Sequence, residues 1–126
     1  MAIVSVAVGS AIGGAGRYWL GGLVAASTGP AFPWGTLVVN VTGCFLIGII
    51  AAPLAPDSFL GSLAWREFAV VGVLGGYTTF SAFSLQTLEL AENGELLRAG
   101  LYVLASVGLC LATVWLGQLA GVALAR

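Results

Sequence analysis

The chain has 126 residues, of which 60% are hydrophobic and 7% charged, with a net charge of −1 and a mean hydropathy of +1.07. An ordinary soluble domain carries about 25% charged residues, so a water-soluble globule is excluded. With no basic patch to neutralise phosphates, a nucleic-acid binder is excluded as well. Histidine and lysine are absent. The commonest general base and metal ligand is therefore missing, and no nucleophile–base pair replaces it, which leaves an enzyme unsupported.

A membrane span needs about 20 apolar residues. Four segments qualify, at about 3–26, 33–54, 63–91 and 97–124, so residues 1–126 read as one all-helical transmembrane domain. The N-terminus lacks the positive region of a cleavable signal peptide, and its apolar stretch runs long for one. The connections carry turn residues: Ser27 to Pro33, Pro53 to Ser62, and Glu92 to Glu95. Trp19, Trp34 and Trp65 sit toward segment ends, where indole rings anchor at the interface.

In the first segment, Gly9 and Gly13 form a small-xxx-small pair, as do Gly72 with Gly76 and Gly117 with Gly121. Such pairs let helix backbones approach closely in lipid. Arg17 lies well inside the first segment, in "GRYWLGG". Two roles are open to it: a snorkelling anchor, or a positive charge in a vestibule that attracts anions.

In the second segment Thr36, Asn40 and Cys44 recur every four residues and share a helix face. Asn40 is either an interhelical clasp or a donor along a path. Cys44 and Cys110 lie in separate apolar runs and read as small packing residues, not as a disulfide or metal pair.

The third segment contains the least helical stretch, from Gly75 through Tyr77 to Thr79. A break there releases backbone carbonyls, tolerable in a membrane only where they line a cavity or hold a cation. Beyond it Phe80, Phe83, Ser84 and Thr87 return to one face at i, i+3, i+4 and i+7, so rings and hydroxyls share a side. Glu89 lies near the end of the segment, facing a vestibule or headgroups. In the fourth segment Tyr102, Ser106, Cys110 and Thr113 form another polar stripe, though Ser and Thr also bond back to their own helix.

Arg66 and Arg126 fall on one side of a four-span topology, Arg98 and an outward-leaning Arg17 on the other. The balance gives no orientation preference by the positive-inside rule, and it points to insertion both ways up and an antiparallel dimer.

The stretches "GRYWLGG", "WGTLVVNVTGCFLIG" and "GGYTTFSAFSLQTLEL", in this order within four short spans, resemble the Fluc (CrcB-type) fluoride channels over nearly the whole chain. The resemblance implies a four-helix fold with a broken third helix, an antiparallel dual-topology homodimer with two pores, and fluoride export across a prokaryotic inner membrane. It implies that Phe80 and Phe83 form facing aromatic boxes and that Asn40 donates to the ion. It further implies that Arg17 faces the vestibule, and that the backbone carbonyls of Gly75 and Thr78 hold a structural sodium ion at the dimer centre. Tyr102 and Ser106 match the family's fourth-helix track. At the next turn a hydroxyl is usual and this chain has Cys110, so either the thiol serves or Thr113 takes over. Ser84 and Thr36 are counted with the fluoride pathway.

The residue chemistry agrees. Fluoride is small and strongly hydrated, and amide, hydroxyl and aromatic-edge donors replace its water without the overly tight grip of a fixed cation. No nucleotide-binding loop is present, and no acidic residue sits deep enough for a proton relay. A small four-helix multidrug exporter requires a buried carboxylate in its first helix, and residues 3–26 contain none. A non-transporting scaffold subunit accounts for the glycines but not for three polar stripes.

Overall fold

The computed structural model describes residues 2–52 and 62–125. Most of the second connection, with Asp57, lies outside them, as does Arg126, whose part in the charge balance is therefore not placed. Among the described residues the chain is helical throughout. Helix α1 spans Ala2–Thr28 and α2 spans Trp34–Ala51. Helix α3 begins as Leu63–Arg66, widens into π-helical turns over Glu67–Leu74 and closes as Gly75–Tyr77. Helix α4 spans Phe80–Glu92 and α5 spans Leu96–Leu124.

The helix ends follow from local chemistry. Gly29 and Gly94 take up positive φ, 78° and 80°, which costs glycine nothing and ends α1 and α4. At α4 the Gly94 N–H donates to Ala91 and the Glu95 N–H to Leu90, a Schellman turn that satisfies the last carbonyls. The Ser62 hydroxyl accepts from the Trp65 N–H at 3.3 Å and starts α3.

The expected break in the third segment is present, and it falls on two threonines, leaving the glycines helical. Thr78 (φ −82°, ψ 159°) and Thr79 (φ −153°, ψ 120°) are extended, while Gly75 to Tyr77 remain in the helix. β-Branched residues favour extended backbone, and the Thr79 hydroxyl rewards it by accepting from the Ala82 N–H at 3.2 Å as the cap of α4. The π-helical turns before the break have no signature in the residue pattern.

Among the described residues three helical stretches are long and apolar enough to cross a membrane: Trp34–Ala51, Leu63–Glu92 and Leu96–Leu124. Helix α1, with 27 residues, extends about 40 Å at 1.5 Å per residue. Its apolar character is diluted by glycines and by Arg17, Tyr18 and Trp19.

Glycines set the packing. A Cβ on Gly9 would lie 2.8 Å from the Phe68 carbonyl, and one on Gly76 would lie 2.5 Å from that of Ser10. A Cβ on Gly13 would collide with Val73, one on Gly117 with Phe45, and one on Gly121 with Ile49 and Ala52. All three small-xxx-small pairs therefore serve close helix contacts. The contacts also fix direction: Gly9 meets Gly72 and Gly13 meets Tyr77, so α1 and α3 run parallel. Phe45 meets Gly117 and Ile49 meets Gly121, so α2 and α5 run parallel.

Large apolar side chains point outward: Ile3 is 85% exposed, Leu104 72% and Leu124 78%. The buried positions of α5 are Ala99, Tyr102, Ser106, Gly117 and Gly121. A globule in water has the opposite arrangement, so the medium this exterior suits is hydrocarbon.

Candidate functional site

The break at Thr78–Thr79 strips the Thr79 N–H of its helical partner, and the second helix replaces it while also binding the Thr79 carbonyl. The Asn40 Nδ2 donates to the Thr79 carbonyl at 2.9 Å, and the Asn40 Oδ1 accepts from the Thr79 N–H at 2.8 Å. Of the two roles open to Asn40, the clasp is realised, while one of its two amide N–H groups is left over for a further acceptor. Gly43, three residues on, leaves room for Thr78 and Tyr77 to pack against α2. The hydroxyls of Tyr77 and Thr42 meet at 2.8 Å and tie the same two helices together.

Two clefts meet at this clasp, and Thr79 lines both. The larger, about 900 Å³ and open, is lined among others by Arg17, Thr36, Gln86, Glu89 and Asn93. Arg17, partly buried, donates from Nη1 to the Thr78 carbonyl at 3.4 Å. Its charge therefore lies at the base of a vestibule, not out at the helix end. Glu89 shares that vestibule.

The smaller cleft, about 430 Å³, brings together Asn40, Cys44, Gly75, Thr78, Phe80, Phe83, Ser106 and Cys110. The α2 stripe thus passes from vestibule (Thr36) through clasp (Asn40) to inner cleft (Cys44). Phe80 and Phe83 lie with ring centroids 5.2 Å apart at 52°. Phe83 continues to Tyr102 at 5.2 Å and Tyr102 to Phe32 at 5.4 Å, nearly edge-on at 80°. The two phenylalanines differ in burial: Phe83 is 8% exposed and packs in the core with Leu37 and Tyr102, whereas Phe80 is 77% exposed.

The hydroxyls divide by what they bond. Thr113 donates to the helix carbonyl of Leu109 at 2.8 Å and also approaches Val41 and Cys110; Ser84 bonds back to Phe80 at 3.0 Å. Neither lines a cleft. Tyr102, fully buried, donates to Gln86 Oε1 at 2.9 Å. Ser106 is different: its Oγ is buried and without a partner, although the residue lines the inner cleft. At the turn beyond it, the Cys110 side of the stripe faces the cleft and the Thr113 side faces α2.

Cys44 and Cys110 are free thiols, each half-buried, and both line this cleft; they stand one helical turn before Gly48 and Val114, which meet across the α2–α5 contact. As their separate runs suggest, they form no disulfide, but they do share one cleft. Gly75 and Thr78 also line this cleft. With the Thr79 N–H drawn to Asn40, the Gly75 carbonyl loses the partner four residues on that an unbroken helix would supply. Among the described residues no cluster of three or more His, Cys, Asp or Glu exists, so a hard cation here has main-chain oxygens to rely on.

Sequence reasoning missed Thr79, Gln86 and the Tyr77–Thr42 pair. Gln86 follows Phe83 by three residues on α4, and that spacing was its available signal.

Residues 4–118 match the family model described as "CrcB-like protein, Camphor Resistance (CrcB)". Curated relatives include the "Fluoride-specific ion channel FluC" of Paramagnetospirillum magneticum, 52% identical over 123 residues, or 96% of this chain and 95% of the relative. The protein of the same name from Rhodospirillum rubrum is 51% identical, covering 97% of this chain and 95% of its own length. That of Opitutus terrae is 53% identical over 94% of this chain and 91% of the relative.

Proposed function

The chain belongs to the CrcB-like family, and from that premise we propose that it is a fluoride-selective passive channel through which fluoride leaves the cytoplasm, relieving fluoride toxicity. Its relatives are named as ion channels, not enzymes, and this chain is a membrane-spanning protein of the same kind. The observation that carries the pathway is the unpartnered Ser106 hydroxyl, buried in a cleft it shares with Asn40, Phe80 and Phe83. A buried hydroxyl without a partner costs about 1–3 kcal/mol, a cost a passing anion relieves. Arg17 raises the local anion concentration in the vestibule. From there the free Asn40 N–H, the positive edges of Phe80 and Phe83, and the Ser106 hydroxyl offer successive weak donors. Thr36 lines the entry, Tyr102 backs Phe83 from the core, and Cys110, more than Thr113 or Ser84, continues the track.

Ser106→Ala tests this directly. Deleting a hydroxyl that bonds nothing in the resting protein should leave thermal stability unchanged or raised, while fluoride flux falls by about tenfold or more. Unchanged flux would remove Ser106 from the path. A multidrug exporter is disfavoured because α1 has no carboxylate, and a scaffold gives no reason for the orphaned hydroxyl.

Four crossings in a bacterial inner membrane, paired as an antiparallel homodimer, complete the proposal. The parallel α1–α3 and α2–α5 pairs suit alternating crossings, and Phe80, exposed on an isolated chain, suits burial against a second copy. Reporter fusions at the C-terminus should be found on both faces of the membrane. A single orientation would end the dual-topology proposal.

Sodium at the dimer centre is proposed on the carbonyls of Gly75 and Thr78. Neutral main-chain oxygens suit a hard cation, and the Gly75 carbonyl is released by the break. The Thr78 carbonyl is shared with the Arg17 guanidinium at 3.4 Å. A bound cation would supply charge that holds two such breaks together. Replacing sodium by N-methylglucamine should shift the purified protein toward monomer and lower its melting temperature. Indifference to the exchange would count against the site.

A further inference from the structure

The inner cleft contains one pair of thiols, of which the conduction proposal uses Cys110 singly and leaves Cys44 aside. Cys44 on α2 and Cys110 on α5 both line it, half-buried, and each stands one turn before the residues, Gly48 and Val114, at which these parallel helices touch. Beyond this level the helices are held in backbone contact: Gly48 and Gly117 each lack room for a Cβ against the other helix. The thiols therefore face one another from walls that cannot separate easily. The rest of the lining carries no charge: Asn40, Thr78, Thr79 and Ser106 are its polar members, and the remainder is glycine or apolar. Ser106 Oγ, 93% buried by residue and unpartnered, sits in the same cleft as a third, weaker donor.

We propose that Cys44 and Cys110 form a two-thiolate site for a soft divalent cation, of which Hg²⁺ is the probe, and that occupancy plugs the inner cleft. Thiolates select soft metals, and two suffice for an ion that prefers two-coordinate geometry. Binding from HgCl₂ makes two Hg–S bonds and breaks two S–H and two Hg–Cl bonds, releasing two protons and two chloride ions to water, with no change of oxidation state. Two thiolates and one Hg²⁺ give a neutral unit, which a low-dielectric lining accepts. A monovalent soft ion would leave a net negative charge there. Hard cations find no such match, so this site is distinct in chemistry from the proposed sodium site on the carbonyls.

The site itself is independent of the channel proposal, and only its blocking effect rests on it. Purified protein in detergent is titrated with HgCl₂ while thiolate-to-mercury absorption in the ultraviolet and proton release are followed. One Hg²⁺ per chain and two protons per Hg²⁺ are expected. Cys44→Ser and Cys110→Ser, which keep size and polarity, should each yield to a competing small thiol at about tenfold or more lower concentration than the native chain. Two Hg²⁺ per chain, or equal retention by the double serine variant, would overturn the site. In liposomes, Hg²⁺ should stop fluoride efflux through the native chain and leave the double variant at its own metal-free rate. Efflux that continues through a chain shown by absorption to hold Hg²⁺ would overturn the plug. A chain that binds Hg²⁺ yet never conducts fluoride would instead count against the channel proposal alone.

Discussion

Replacing Phe80 by isoleucine should cut fluoride flux by about 100-fold, equivalent to about 3 kcal/mol of added barrier, while the melting temperature stays nearly unchanged. The reason is position. Phe80 is 77% exposed on the isolated chain and lines the inner cleft, so its ring contributes little to the fold of one subunit. Isoleucine keeps the bulk and removes the positive ring edge that an anion would meet. Phe83→Ile is the informative partner. Phe83 packs with Leu37 and Tyr102 at 8% exposure, so its loss should reduce flux and also lower stability by about 1–3 kcal/mol. Flux and melting temperature measured on both variants separate the roles. If Phe80→Ile conducts normally, the ring belongs to packing between subunits.

Asn40→Ala should be the more damaging change to the protein itself. Both polar atoms of that amide are engaged by Thr79, at 2.9 and 2.8 Å. Alanine leaves the Thr79 N–H unpaired at the helix break, at about 1–3 kcal/mol, and removes the tie to the Thr79 carbonyl. The two termini of the break then have no reason to keep their geometry, and Phe80 at the start of α4 moves with them. A large drop in melting temperature together with loss of flux is expected. Asn40→Asp sharpens the test: a carboxylate still accepts from the Thr79 N–H but faces the Thr79 carbonyl without a proton to give. It should recover less than half of the lost stability. A fully stable Asn40→Ala protein that fails to conduct would assign Asn40 to ion contact and not to the clasp.

The sequence made some of this legible because certain residues have few alternatives. Glycine at four-residue spacing in an apolar helix has one common use, and Gly9, Gly13, Gly117 and Gly121 all sit against backbone of a neighbouring helix. The turn at Glu92 to Glu95 was readable for the same reason, since Gly94 needs positive φ. The break was foreseen as a region but not to the residue. Propensity points at glycines, whereas the extended pair is Thr78–Thr79, held by a tertiary bond to Asn40 that spacing cannot reveal. The π-helical turns over Glu67–Leu74 leave no mark in composition.

The polar stripes show the same limit. Periodicity placed Tyr102, Ser106, Cys110 and Thr113 on a face of α5, and could not tell which hydroxyls spend their proton on their own helix. Thr113 does and Ser106 does not. Nor could it bring Cys44 and Cys110 together, because the pairing depends on which helices pack and in which direction.

Fluoride efflux from liposomes holding the purified protein tests the central claim most directly. The vesicles are loaded with potassium fluoride, a potassium ionophore is added to remove the opposing voltage, and release is followed with a fluoride electrode beside a chloride-loaded control. Rapid fluoride release with chloride retained is the expected result. Retention of both ions by well-folded protein, or release of both alike, would contradict a fluoride-selective channel.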